Sequence, residues 1–167
     1  MIRVVDDIRA THLDYPNLVL TIGSFDGVHR GHHAILDAVV RRARAINGTP
    51  AVLTIRPHPR EFFSPDHAPS LLTHSAKKLE LFEAAGIDAM IFLRFNADVA
   101  TLEPEDFVRE IIVERCRAKA VAVGHDFRFG KNARGDFELL ASLAPQHGFD
   151  VEQVPALLMD GERVSST

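Results

Sequence analysis

The sequence has few of the features that mark disulfide-stabilised, membrane-spanning or nucleic-acid-binding proteins. Its 167 residues include one cysteine, Cys116, which cannot form an internal disulfide and indicates a reducing compartment. No apolar run approaches the ~20 residues of a membrane span, and the first residues show no signal-peptide pattern. The formal net charge of −4 excludes a global basic field. We therefore predict a cytoplasmic protein without nucleic-acid or membrane partners, in which any anionic ligand is bound by a local group of residues.

Strand-like and helix-like segments alternate along the chain. Short β-rich runs predict strands at residues 18–22, 51–55, 89–93, 120–123 and 149–154. Helical spacing of apolar residues predicts helices between them, after His32, Ser75, Pro104 and Asp136. We predict one α/β domain over residues 1–167. It has a Rossmann-like parallel sheet with helices on both faces, and a small C-terminal β-rich portion with a hairpin turn at residues 160–161.

The most informative loops all follow predicted strands. They cover residues 23–32, 57–63 and 124–130. Ligands of parallel α/β sheets bind beyond the carboxyl ends of the strands, near the point where the strand order reverses. We therefore expect one site at that edge, built from all three loops.

The first of these loops leads into a predicted helix and contains Gly23, Gly27 and Gly31. Glycines let a backbone approach a ligand, and a helix start presents free N–H groups to an anion. His29 and His32 are three residues apart, so both imidazoles can face the same space and donate to phosphate oxygens. A chance pair of surface histidines and a zinc site are alternatives. Because no third ligand has suitable spacing, we predict no metal site within the protein. Neither a Walker A ending nor the Gly-x-Gly-x-x-Gly fingerprint is present.

Four segments resemble the motifs of one family. Residues 23–32 resemble the Gly-x-Phe-Asp-Gly-x-His-x-Gly-His signature of the nucleotidylyltransferase superfamily, and are similar to its form in the bacterial bifunctional riboflavin kinase/FMN adenylyltransferases, the FAD synthetases. Residues 54–59 resemble that family's Thr-Phe-x-Pro-His-Pro motif. Residues 124–130, followed by Gly135-Asp136, resemble its Gly-x-Asp-Phe-x-Phe-Gly stretch, and residues 164–167 the start of its Ile-Ser-Ser-Thr-x-Ile-Arg motif. The resemblance covers nearly the whole chain.

The resemblance implies a nucleotidylyltransferase fold and transfer of AMP from ATP to FMN, giving FAD and pyrophosphate, with Mg²⁺ accompanying ATP. It assigns His29 and His32 to the α–β phosphate bridge and the leaving pyrophosphate. Further ATP-binding residues would be Gly23, Ser24, Phe25, Asp26, Gly31, Ser165, Ser166 and Thr167. Residues that would bind FMN are His58, Phe62, Asp126, Phe127, Arg128 and Phe129.

Each FMN-binding residue also has a structural interpretation. Phenylalanine can pack on the flat isoalloxazine ring and arginine can pair with a phosphate. Alternatively, Phe127 and Phe129 close the local core and Arg128 forms a surface ion pair. His58 either contacts the nucleotide or caps a strand. Phe62 either covers the flavin or has an ordinary packing role within the protein.

Three features depart from the family pattern. Ile55 replaces the usual phenylalanine, a substitution that a buried strand tolerates. Ser24 stands where the family often has asparagine, which leaves that side-chain contact open. The sequence stops at Thr167, before the arginine of the last motif and without the family's C-terminal riboflavin kinase domain, so we expect a truncation. Two alternatives therefore stand beside FMN adenylylation: a nucleotidylyltransferase for another phosphorylated acceptor, and a truncated flavin- or nucleotide-binding module without turnover.

Overall fold

The computed structural model describes residues 2–10, 13–23, 30–56 and 79–155, without the side chains of residues 30–32 and 56. The strands are Arg3–Val5 (β1), Val19–Ile22 (β2), Pro50–Arg56 (β3), Ala89–Arg94 (β4), Ala120–Gly124 (β5) and Asp150–Val154 (β6). The α-helices are Arg30–Ala45 (α1), residues 79–85 (α2), Ala97–Ala100 (α3), Pro104–Phe107 (α4) and Phe137–His147 (α5). A π-helix, Val108–Arg115, continues α4, and 3₁₀ turns cover Ile8–Ala10 and Lys131–Ala133.

All six strands form one parallel sheet in the order β1-β4-β3-β2-β5-β6. From β2 the chain steps to β3 and then β4 on one side, and it returns to place β5 and β6 on the other side. The strand order therefore reverses between β2 and β5, which makes this the topological switch point. The predicted parallel α/β sheet is confirmed. β1 was not predicted, because an edge strand of three residues makes too short a pattern to detect.

Helices cover both faces of the sheet, as predicted. Leu20, Leu53 and Ile91 point into a core that contains Phe107 and Ile111 of the α4/π-helix segment. Their neighbours in the strands point to the opposite face, where Val19, Val52 and Met90 pack with Leu36 and Val39 of α1. Since both of its faces are buried, the centre of the sheet, β2 to β5, is apolar at nearly every position, whereas the edge strands β1 and β6 carry polar residues.

Local backbone signals end two of the helices. Helix α5 ends at Gly148, which has the left-handed φ of 78° typical of a C-cap. At the end of α1 the positive φ of 54° belongs to Asn47 and not to Gly48. Gly48 is needed for space, because a Cβ there would collide with the backbone carbonyl of Asn17.

Cys116 is 1% exposed and packs in the core as a small hydrophobic residue. Burial raises the pKa of its thiol to about 12, so the nucleophilic thiolate is suppressed at neutral pH. None of the helices within the described ranges combines the length and apolar character that crossing a bilayer requires. The predicted hairpin at residues 160–161 and the helix start at Ser75 lie outside those ranges.

Candidate functional site

The three loops singled out in the sequence leave three adjacent strands at one edge of the sheet. β3 ends at Arg56, β2 at Ile22 and β5 at Gly124, and these strands are neighbours in the order β3-β2-β5. Because the strands are parallel, all three ends lie at the same carboxyl edge. The prediction that these three loops begin at one edge of the sheet is therefore confirmed.

Between β2 and β5 the strand pairing is short. Only Val19↔Ala120 and Leu20↔Val121 are paired, whereas β2 stays paired with β3 as far as Ile22↔Leu53. The last residues of β2 and β5 are thus not joined by ladder hydrogen bonds. This separation occurs where the strand order reverses, which is where parallel α/β sheets form their ligand crevice.

One side of this crevice is the passage from β2 to α1. Gly23 is half-buried and its N–H donates to the carbonyl of Leu53 at 3.1 Å, which holds the chain beside β3 at the strand end. Helix α1 begins at Arg30, and a helix of 16 residues has unsatisfied N–H groups and a positive dipole end there. The backbone of this side therefore suits a bound anion.

Many of the predicted site residues lie outside the described part of the chain, and their roles stay predictions. Gly31 and His32 lie in the first turn of α1, but the positions of their side chains are not described. Those wholly outside the described ranges are Ser24, Phe25, Asp26, His29, His58, Phe62, Ser165, Ser166 and Thr167.

The other side of the crevice is the loop between β5 and α5, residues 124–136, here called the β5–α5 loop. Phe129 and Gly135 exchange two backbone hydrogen bonds, of 3.1 and 2.8 Å, in an isolated antiparallel bridge. Gly130 has a φ of 80°, and a Cβ there would lie 2.7 Å from Pro104 Cγ. A Cβ at Gly135 would lie 2.6 Å from the ring of Phe129. The loop therefore has a defined shape that depends on both glycines.

The two phenylalanines of this loop are unequal. Phe129 is 6% exposed and its ring centroid lies 5.7 Å from that of Phe107, so it belongs to the core. Phe127 is half-buried and stacks on Phe129 with centroids 5.3 Å apart. Phe129 thus has the packing role that the sequence allowed as an alternative, and Phe127 is the phenylalanine that retains exposed surface.

The polar residues of the loop are exposed. Asp126 and Arg128 lie at the surface, and Arg128 Nη1 is 3.5 Å from Asp136 Oδ2. The surface ion pair that the sequence allowed for Arg128 is therefore present. The other oxygen of Asp136 accepts a hydrogen bond from the N–H of Leu139 at 2.9 Å and so caps α5. Sequence reasoning placed Asp136 at a helix start, where aspartate is a common N-cap, but it missed the contact with Arg128.

Within the described ranges, no group of three or more His, Cys, Asp or Glu side chains is arranged to hold a metal ion. A cleft of about 540 Å³ lies at the opposite, amino edge of the sheet, lined in part by Arg41, Arg42, Lys119 and Asp150. Arg42 pairs there with Glu152 of β6 at 3.2 Å. This cleft is remote from the strand ends that carry the predicted motifs, so we do not assign it to the site.

The fold is that of a doubly wound α/β protein with a crevice at its switch point. A solved structure titled "Crystal Structure of Macrolide-efflux Protein from Streptococcus pneumoniae" has the same fold, with a TM-score of 0.73 over 91% of this chain and 49% of that one. The two share 21% sequence identity, so this likeness concerns the fold alone.

A family model described as FAD synthetase matches residues 12–167, and the chain belongs to this family. It is 40% identical over 149 residues to the bifunctional riboflavin kinase/FMN adenylyltransferase of Escherichia coli (strain K12), covering 89% of this chain and 48% of that protein. It is 38% identical over 167 residues to the Pseudomonas fluorescens protein of the same name, covering 100% and 52%. The chain thus spans about half the length of these relatives.

Proposed function

We propose that this chain transfers AMP from ATP to FMN, giving FAD and pyrophosphate. A terminal phosphate oxygen of FMN attacks the α-phosphorus of ATP, and the bond from that phosphorus to the pyrophosphate breaks. The attacking oxygen is already anionic near neutral pH, because the second pKa of a phosphate ester is about 6. The reaction therefore needs alignment and charge neutralisation more than a strong base.

This proposal depends on one observation: β2 and β5 are not paired at their carboxyl ends, which lie at the switch point. ATP would lie on the β2 side, with its phosphates at Gly23 and the start of α1. FMN would lie on the β5 side, against the β5–α5 loop. The two substrates then meet above adjacent strand ends, which is the geometry that an in-line transfer requires.

The proposed roles divide between the two sides. His29 and His32 would donate to the bridging and leaving phosphate oxygens, where negative charge develops. Phe127 would offer its exposed ring surface to the flavin, and Arg128 would pair with the FMN phosphate. Mg²⁺ would arrive with ATP, held mainly by phosphate oxygens and water.

The other half of the relatives' length bears on the whole protein. Those relatives are named as bifunctional, with riboflavin kinase as the second activity. We propose that a riboflavin kinase domain accompanies this one in the natural protein and that these residues carry only the adenylyl transfer. The cytoplasmic location remains a prediction.

An acceptor screen tests the reaction. The chain is incubated with ATP, Mg²⁺ and either FMN or another phosphorylated acceptor, and products are separated by liquid chromatography with detection of FAD and pyrophosphate. We expect FAD from FMN. Turnover with a different phosphate ester alone would overturn the proposal. Binding of FMN without turnover, unchanged after the residues that follow in the relatives are added, would identify a binding module.

A further inference from the structure

Asp136 joins the cap of α5 to the exposed arginine of the β5–α5 loop. We propose that Asp136 is a positioning residue for FMN: it holds the guanidinium of Arg128 in the orientation that receives the FMN phosphate. This inference rests on the proposed function. It adds a residue that acts through Arg128 and does not itself touch the substrate.

The two carboxylate oxygens of Asp136 have different partners. Oδ1 accepts from the N–H of Leu139 at 2.9 Å, and Oδ2 lies 3.5 Å from Arg128 Nη1. The cap ties the carboxylate to the first turn of an 11-residue helix, so its position is set by α5. Arg128 is therefore held by a group that is itself anchored.

The backbone of the loop brings the two residues opposite each other. Phe129 and Gly135 form an antiparallel bridge with two hydrogen bonds. Arg128 precedes one member of the bridge and Asp136 follows the other, so they form the next cross-strand pair. Opposite charges at such positions attract across the pair. The requirement for glycine at 135 follows from the same geometry, because a Cβ there would collide with the Phe129 ring.

The contact uses only part of the guanidinium. Arginine has five N–H donors in a planar fork, and Asp136 meets one end of it, Nη1. The remaining donors suit bidentate binding of a phosphate. With side chains 59% and 41% exposed, the pair contributes little to folding stability. The pair instead keeps the Arg128 side chain in one orientation, and this lowers the conformational entropy that Arg128 loses when it binds a ligand.

Asp136→Asn separates the two roles of this residue. Asparagine caps helices about as well as aspartate does, so the melting temperature should stay near that of the wild type. The charge that orients Arg128 is lost. We expect the KM for FMN, and the Kd from quenching of FMN fluorescence, to rise roughly 3- to 10-fold, the size of effect expected for the loss of one ordinary hydrogen bond. The kcat and the KM for ATP should change less than about 2-fold by the same reasoning.

A matched control lies in the same region. Arg134 and Glu103 form an ion pair of 3.3 Å whose side chains are 58% and 42% exposed, nearly the same as the Arg128–Asp136 pair. Glu103→Gln removes that pair and should leave FMN affinity unchanged. A similar rise in the KM for FMN in Glu103→Gln would attribute the effect to general surface charge and overturn the proposal.

A double-mutant cycle completes the test. If Asp136 acts through Arg128, Asp136→Asn should add nothing to Arg128→Gln. Three results would each overturn the positioning role. One is a double variant that loses as much further FMN affinity as Asp136→Asn loses alone. The others are wild-type or tighter FMN binding by Asp136→Asn, and unchanged FMN binding by Arg128→Gln. Failure of the wild type to form FAD would refute the proposed function instead, and FMN fluorescence would still report on the pair.

Discussion

The two edges of the sheet use the same arginine–carboxylate chemistry for different purposes. At the amino edge, Arg41 and Arg42 of α1 both pair with Glu152 of β6, at 3.3 and 3.2 Å, and join two elements that are distant in sequence. At the carboxyl edge, Arg128 and Asp136 belong to one loop. The first arrangement links a helix to a strand far away in sequence, and the second lies within a single loop beside the crevice. Exposure does not distinguish them, since the side chains of Arg41 and Arg128 are 67% and 59% exposed. An ion pair therefore indicates function only when its partners and their anchoring are known.

The largest expected effect concerns the two histidines of the segment 23–32, which follows β2 in the sequence. His29→Ala and His32→Ala should each lower adenylyl transfer roughly 100- to 1,000-fold, the usual loss when a donor to developing charge is removed. Melting temperatures should change little, in contrast to substitutions that remove packing. FAD formation at saturating substrates and thermal unfolding measure the two quantities. Full turnover in both variants would show that His29 and His32 do not have the proposed catalytic role.

Two glycines with similar positive φ values but different ψ values, −178° at Gly130 and 32° at Gly148, differ in what an added Cβ would meet. Gly130 and Gly148 have φ values of 80° and 78°, but a Cβ at Gly148 meets no atom of the described chain within 4 Å, whereas one at Gly130 would lie 2.7 Å from Pro104 Cγ. Gly148→Ala should cost about 1–2 kcal/mol, the left-handed strain alone. Gly130→Ala should cost more, because the φ/ψ region of Gly130 is essentially restricted to glycine and because overpacking adds about 1–3 kcal/mol, and it should also weaken FMN binding. Urea unfolding measures both, and equal losses would contradict the packing argument.

The smallest expected effect is at the amino edge. Glu152→Gln breaks both arginine pairs and should lower the free energy of unfolding by about 0.5–1 kcal/mol, as is usual for partly exposed pairs. FAD formation should be unchanged, because β6 meets α1 far from the crevice. If turnover fell with little loss of stability, the amino edge would have a functional role, and the division between the two edges would fail.

Particular residues show why some features were predictable and others were not. The β2 strand, predicted at residues 18–22, is Val19–Ile22, and the α5 cap and stop signals at Asp136 and Gly148 are used as expected. Such features depend on local propensity and on burial of both sheet faces. The role of Phe129 was not decidable from its surroundings in sequence, because a phenylalanine after a strand can equally close a core or meet a ring. Its contact with Phe107 settles that it packs in the core.

By itself the sequence determined the alternation of strands and helices, the strand ends at which the loops begin, and the family motifs in their order. Those features follow from residue periodicity and local backbone preferences. Only the tertiary structure decided that β2 and β5 part at the switch point, and that Arg128 stands opposite Asp136. The first depends on pairing between two strands that are distant in sequence, and the second on a loop that folds back on itself. No local pattern encodes such a pairing, because its free energy comes from contacts that exist only after folding.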